Sequence, residues 1–392
     1  MNYDRVLNPD IAAVPKSGIR KFFDIVATMP GCISLGVGEP DFVTPYHIRD
    51  KAISSLLDGE TSYTGNRGLP SLLREIAYYL NHRYSLVFDP DKEILVTVGA
   101  SEGIDLALRC MVCPGDEVLV PEPSYVSYCP NVIFAGGTPR PIPTSAENGF
   151  ALTAEALEAA ITDKTKAVIL PYPNNPTGAI LGRDDLLRLS EVLIRHDLVV
   201  ISDEIYSELT YGDVDHVSIG SLPGMQERTI VINGFSKAFA MTGWRMGYVC
   251  GPAPMIDVMF KIHQYTIMCA NRQGQVGAEE ALRRGREDGY EDVKTMRRSY
   301  DHRRRLMVDA FNKMGLTCYE PKGAFYVFPS IRRTGLTSEE FANRLLREQK
   351  VVCVPGTAFG QSGEGHVRCC YATALDKLQE ALRRIEVFVN SL

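Results

Sequence analysis

The sequence predicts an α/β protein: a larger domain built on a mostly parallel sheet flanked by helices, plus a smaller α+β domain. Three observations point there. The chain has 392 residues, 45% of them hydrophobic, which is more than a single ordinary domain of about 100–200 residues uses. Through its middle, short β-rich apolar runs alternate with amphipathic stretches, the pattern of βαβ units covered on both faces. From about Glu287 onward that alternation gives way to a long charged helical stretch, then to short strands set between helices.

In chain order, strands are expected at Ile94–Val98, Glu117–Val120, Ala167–Leu170, Leu198–Ser202, Thr229–Asn233 and Gly247–Cys250. Each is a short apolar run bounded by polar or turn-forming residues. Helices are expected at Ser101–Cys110, Thr153–Ala160 and Arg183–Arg195, where apolar positions recur at helical spacing. Further on, a helical stretch at Tyr290–Met314 leads to a strand at Ala324–Phe328, a helix at Ser338–Glu348, two short strands and a helix at Asp376–Ser391. No repeat, low-complexity tract or disordered linker interrupts the chain, so a helix is expected to join the domains. The expected division assigns residues 44–286 to the large domain, and residues 1–43 with 287–392 to the small one.

Bulk properties narrow the function. A net charge of −6 and a pI near 5.7 argue against nucleic acid and anionic membranes as partners. Met1 to Lys21 is polar and carries no apolar h-region, so no signal peptide is expected, and no apolar run is long enough for a membrane span. The ten cysteines are scattered, several within apolar segments, which fits free thiols in a cytoplasmic setting. Cys110 and Cys113 form one C-x-x-C with no second ligand pair, and His216, His263 and His366 share no metal spacing, so no metal is expected.

Ligands of open α/β sheets bind beyond the carboxyl ends of the strands, and there the polar residues collect. Gly99, Ala100 and Ser101 open a helix, where free N–H groups and the helix dipole favour an anion. Ser236 and Arg245 add a hydroxyl and a bidentate cation, which suits phosphate. Tyr125 offers a face for a flat ring, Asp203 a partner for a protonated ring nitrogen, and Asn175 with Tyr206 donors for a ring oxygen. Lys237 supplies an amine. Phosphate, ring, pyridinium nitrogen, ring oxygen and aldehyde together describe pyridoxal 5′-phosphate. Plainer roles exist for single members: Asp203 as a helix N-cap, Arg245 in a structural ion pair, Tyr125 in core packing.

The segments Ser34-Leu-Gly-Val-Gly-Glu-Pro-Asp-Phe42, Tyr63-Thr-Gly-Asn-Arg-Gly-Leu69, Asn174-Asn-Pro-Thr-Gly178, Ser202-Asp-Glu-Ile-Tyr206 and Ser236 to Tyr248 stand in an order and spacing that resembles the class I/II aminotransferases of fold type I, the aspartate aminotransferase superfamily. The resemblance runs from about Ser17 to the end of the chain. It implies that Lys237 holds the cofactor as a Schiff base and, once displaced, moves the substrate's Cα proton. It implies that Asp203 keeps the ring nitrogen protonated and that Asn175 and Tyr206 bond the ring oxygen. Gly99, Ala100, Ser101, Ser236 and Arg245 match the phosphate cradle. Tyr63 matches a tyrosine that reaches the phosphate from a second subunit, which implies a homodimer. Arg368 lies where the family binds the substrate α-carboxylate, with Asn175 and the backbone of Gly38.

The expected activity is therefore transfer of an amino group between an L-amino acid and a 2-oxo acid, with 2-oxoglutarate as the acceptor and a ping-pong course. Ser101 stands where some dicarboxylate-specific relatives have lysine, and no second cation is identifiable, so a neutral or aromatic donor is favoured. The same residues would also serve a C–S β-lyase or an aminocyclopropane carboxylate synthase-like lyase. A non-catalytic regulatory domain is disfavoured by the intact Lys237. A nicotinamide-binding fold is disfavoured because no G-x-G-x-x-G follows the first strand.

Overall fold

The computed structural model describes residues 1–19 and 29–392. Residues 20–28, which belong to the expected 1–43 portion of the small domain and to the start of the family resemblance, lie outside the described residues.

A seven-stranded sheet organises the middle of the chain. Its strands are β2 (Ile94–Val98), β3 (Glu117–Glu122), β4 (Thr138–Pro143), β5 (Thr165–Leu170), β6 (Val199–Asp203), β7 (Thr229–Gly234) and β8 (Met246–Cys250), in the order β2-β8-β7-β6-β5-β3-β4. (β1, Ile33–Ser34, lies outside this sheet.) The steps from β7 to β4 are all parallel, while β8 runs antiparallel to both β7 and β2. Each of the six strands expected between Ile94 and Cys250 falls on one of these. β4 was not expected. Its Thr-Pro-Arg-Pro-Ile-Pro carries three prolines and among the described residues pairs only with β3, and an edge strand tolerates the loss of N–H groups that proline brings.

Helices cover both faces. α1 (Pro9–Ala13) is a short turn near the start, and α2 (Tyr46–Leu57) and α3 (Pro70–Tyr84) pack against a later helix of the same layer, α9 (Arg272–Asp288). α4 (Gly99–Arg109) begins two residues before the expected Ser101, because Gly99 adopts φ +71° and turns the chain from β2 directly into the helix. α5 (Tyr128–Phe134) lies between β3 and β4, and α6 (Ala154–Ala160) is capped by Thr153, whose hydroxyl accepts from Ala156 N–H. α7 (Arg183–Arg195) spans the expected residues, and α8 (Ala253–Thr266) precedes α9.

Beyond α9 come α10 (Glu291–Lys313), β9 (Tyr326–Val327), α11 (Ser338–Gln349), β10 (Val351–Val352), β11 (Val354–Pro355), β12 (Val367–Cys370) and α12 (Leu375–Asn390). β11, β12 and β9 form an antiparallel sheet, and β10 pairs in parallel with β1. That pairing brings Leu35 into one buried cluster with Phe325, Phe341, Val351, Leu378 and Phe388. Among the described residues no helix is long and apolar enough to cross a membrane.

Candidate active site

A cavity of about 660 Å³ opens at the carboxyl ends of β3, β5, β6 and β7, where the N-terminus of α4 meets the β9–β12 region. Gly38, Ala100, Ser101, Tyr125, Asn175, Asp203, Tyr206, Ser236, Lys237, Arg245 and Arg368 line it. Chain segments more than three hundred residues apart in sequence thus meet at one place. Gly99 stands behind the wall, against Arg245. Tyr63 lies outside the cavity and is 79% exposed.

At the floor, Asp203 ends β6 as a buried carboxylate. Tyr128, on α5, donates its hydroxyl hydrogen to Asp203 Oδ2 at 2.7 Å, and Ile205 N–H donates to Oδ1 at 3.2 Å. No Lys, Arg or His pairs with Asp203 among the described residues. Burial pushes its carboxyl upward from the usual carboxylate range, and the two donors pull it back. A buried ionised carboxylate is costly unless a cation compensates it. Asp203 is therefore suited to a cationic atom of a ligand.

Lys237 follows β7 and is half-buried, its Nζ donating to Gly38 O at 2.7 Å. The faces of Tyr206 and Phe325 lie 5.8 and 5.6 Å away. Burial lowers its ammonium to about 8, so a useful fraction is the nucleophilic free amine near neutral pH.

One end of the cavity is built for an anion. The free N–H groups of the first turn of α4 face it through Ala100 and Ser101. Arg245 holds its backbone at φ +53° and donates Nη1–H to Thr242 O at 3.0 Å. A Cβ at Gly99 would stand 2.6 Å from Arg245 Nη2, so only glycine lets the guanidinium approach. The Ser236 hydroxyl makes no hydrogen bond among the described residues.

At the other end Arg368, on β12, is 1% exposed. Its Nη1–H donates to Asn175 Oδ1 at 2.9 Å and its Nη2–H to Gly36 O at 2.6 Å, while Nε–H has no partner. Asn175 spends its oxygen on Arg368, which leaves its amide N–H groups for a ligand. The Tyr206 and Tyr326 hydroxyls are 2.9 Å apart. A fully buried guanidinium with a spare N–H and no carboxylate partner among the described residues fits a ligand carboxylate.

These groups match pyridoxal phosphate moiety by moiety: an anion corner, an amine, an uncompensated carboxylate and free amide hydrogens. Among the described residues no cluster of His, Cys, Asp or Glu could hold a metal, and all ten cysteines, Cys110 and Cys113 included, are free. The cavity wall also contains Lys16, Ile104, Tyr128 and Tyr326, which the sequence did not single out. Tyr128 follows Tyr125 by three residues, just where the helix Tyr128–Phe134 begins, and neither it nor Tyr326 nor Lys16 carries a motif that marks it.

Comparison with known proteins gives concordant findings. The family model for aminotransferases of class I and II matches residues 30–385. A putative aminotransferase, YugH, of Bacillus subtilis (strain 168) is 52% identical over 98% of each chain. An aspartate aminotransferase of Pyrococcus abyssi is 50% identical over 95% of each chain. The crystal structure of an aromatic aminotransferase from Pyrococcus horikoshii OT3 superposes with a TM-score of 0.90 at 46% identity, covering 94% of this chain and 99% of that one.

Proposed function

The chain belongs to the class I and II aminotransferases and is a pyridoxal phosphate-dependent transaminase of fold type I, and from that premise we propose that it exchanges the amino group of an L-amino acid with 2-oxoglutarate in a ping-pong reaction. The observation that carries the reading is the convergence of Lys237, Asp203 and the unsatisfied Arg368 on one cavity. When bound, pyridoxal phosphate supplies an aldehyde that condenses with amines and a ring that accepts the electron pair left when Cα loses its proton.

The chain's own residues have separable tasks. The α4 N-terminus, Ser236 and Arg245 would hold the phosphate, and Tyr125 would offer its face to the ring. Asp203 keeps the ring nitrogen protonated, which makes the ring a better electron acceptor. Asn175 and Tyr206 donate to the ring oxygen. Arg368 clamps the substrate α-carboxylate through its N–H groups, helped by Asn175 and the Gly38 backbone. That clamp fixes which Cα bond faces the ring. Lys237 Nζ would hold the cofactor's aldehyde carbon at rest and, as a free amine beside the bound substrate, would serve as the general base that takes the Cα proton and delivers it to that former aldehyde carbon.

The donor we favour is neutral or aromatic, since Ile19, Ile104 and Ile205 give the cavity an apolar flank. Lys16 at the wall is a cation available to an acidic acceptor side chain. Relatives named for aspartate and for aromatic substrates are consistent with one site serving both. A homodimer in the cytoplasm, with Tyr63 reaching the neighbouring phosphate, completes the reading.

The test is an absorbance spectrum of the purified protein, followed by single amino acids without any oxo acid. We expect a yellow protein whose long-wavelength band gives way to the pyridoxamine form, fastest with an aromatic donor. Release of pyruvate or ammonia instead would make it a lyase. Aspartate strongly outperforming tyrosine and alanine would overturn the donor assignment.

A further inference from the structure

Tyr326, on β9, is 1% exposed and touches both halves of the site. Its ring lies under the Arg368 guanidinium, with Cζ 4.4 Å from the ring centroid, and Phe359 flanks the same cation at 4.9 Å. Its hydroxyl sits 2.9 Å from that of Tyr206 and also stands against the open side of Gly38, where a Cβ would collide with it. One side chain therefore braces the proposed carboxylate clamp and reaches the proposed donor to the ring oxygen.

A phenol has a single proton to give. If Tyr206 gives its proton to the cofactor's ring oxygen, the hydrogen bond between the two tyrosines must run from Tyr326 to Tyr206. Such a donation polarises the Tyr206 O–H and strengthens the bond it makes in turn. The ring does something different. A guanidinium stacked on an aromatic face is attracted to it and stays planar to its ligand, and among the described residues Arg368 has only Asn175 and Gly36 as hydrogen-bond partners.

We propose that Tyr326 is a positioning residue with two separable parts: its ring holds Arg368 in the plane that receives the substrate carboxylate, and its hydroxyl donates to Tyr206 and so sharpens Tyr206 toward the cofactor's ring oxygen. The inference rests on the roles given above to Arg368 and Tyr206.

Two variants separate the parts. Tyr326→Phe keeps the ring and removes the hydroxyl; Tyr326→Leu removes both. Three quantities are read: the Kd of pyridoxal phosphate for the apo-protein, the pH midpoint of the visible band of the loaded protein, and the Kd of the unreactive carboxylate 3-phenylpropionate. For Tyr326→Phe we expect cofactor affinity weaker by roughly three- to tenfold, a midpoint moved upward, and carboxylate binding within about twofold of the unmodified protein. For Tyr326→Leu we expect carboxylate binding weaker by about tenfold or more as well. Arg368→Ala is the reference. If it binds 3-phenylpropionate as well as the unmodified protein does, the carboxylate assignment itself fails, and this proposal with it. If that assignment stands, the proposal is overturned when Tyr326→Phe leaves cofactor affinity and midpoint unchanged, or weakens carboxylate binding as much as cofactor binding. Should Tyr326→Leu fail to fold, the Phe variant's contrast between its readouts decides alone.

Discussion

Asp203 shows how a single buried group depends on its neighbours. Burial works against its charge, and the Tyr128 hydroxyl at 2.7 Å is a compensating donor placed by a different element. Removing that donor raises the carboxyl further, and an acid's charge is lost as pH falls through its pKa. Tyr128→Phe is therefore expected to shift the acid limb of pyridoxal phosphate binding upward in pH, while affinity well above that limb changes less than tenfold. Titrating cofactor affinity of the apo-protein from pH 5 to 8 is the check, and an unmoved acid limb would show that the bond only packs the core. Asp203 itself was legible in the sequence because it ends an apolar strand. Its partner was not singled out, since 75 residues separate the pair and only folding decides which tyrosine reaches it. Tyr326, 120 residues from Tyr206, was hidden for the same reason.

Elements were read more easily than contacts. β2 and α7 fall on the expected residues because an apolar run with polar ends, or a steady helical spacing, is a local property. Two features escaped. The proline-rich β4 looks like a loop until its place at the sheet edge is known, and the direction of β8 depends on how the short turn after Lys237 folds back through Arg245. That turn and the start of α4 form a single device: Gly99, at φ +71°, gives the helix its abrupt start and clears room for Arg245. Gly99→Ala would place a methyl 2.6 Å from the guanidinium and add about 1–2 kcal/mol of backbone strain. We expect pyridoxal phosphate affinity to fall by at least about tenfold, with a smaller loss for pyridoxal, which lacks the phosphate. Equal losses for the two ligands would mean that the damage is general rather than at the anion corner.

At the scale of the whole molecule, the proposed division near residues 44 and 286 is supported by Leu35 packing with the C-terminal helices. It is blurred where Tyr206, Leu209 and Tyr211 join that same cluster. The exposed apolar surface bears on the proposed dimer. Val43, Tyr46, Leu57, Tyr63 and Tyr265 are all largely exposed, and an open groove lined by Phe42, Val43 and Trp244 shares Glu39 and Thr242 with the cavity wall. Exposed apolar side chains together with an apolar groove at the mouth of the site suit a second copy of the chain. If Tyr63 serves the neighbouring phosphate, two damaged proteins should repair each other. A Lys237→Ala chain lacks the amine but can lend Tyr63, while a Tyr63→Ala chain keeps Lys237 and needs a partner's tyrosine. In a mixed dimer one site then carries both defects and the other carries none. After unfolding and joint refolding of equal amounts, random pairing makes about a quarter of all sites intact. Activity at low cofactor concentration should rise toward that fraction of the unmodified value, above either variant alone. If the mixture gives only the average of its parts while chromatography shows dimers, Tyr63 does not cross the interface, and the partner's contribution to the site must come from elsewhere.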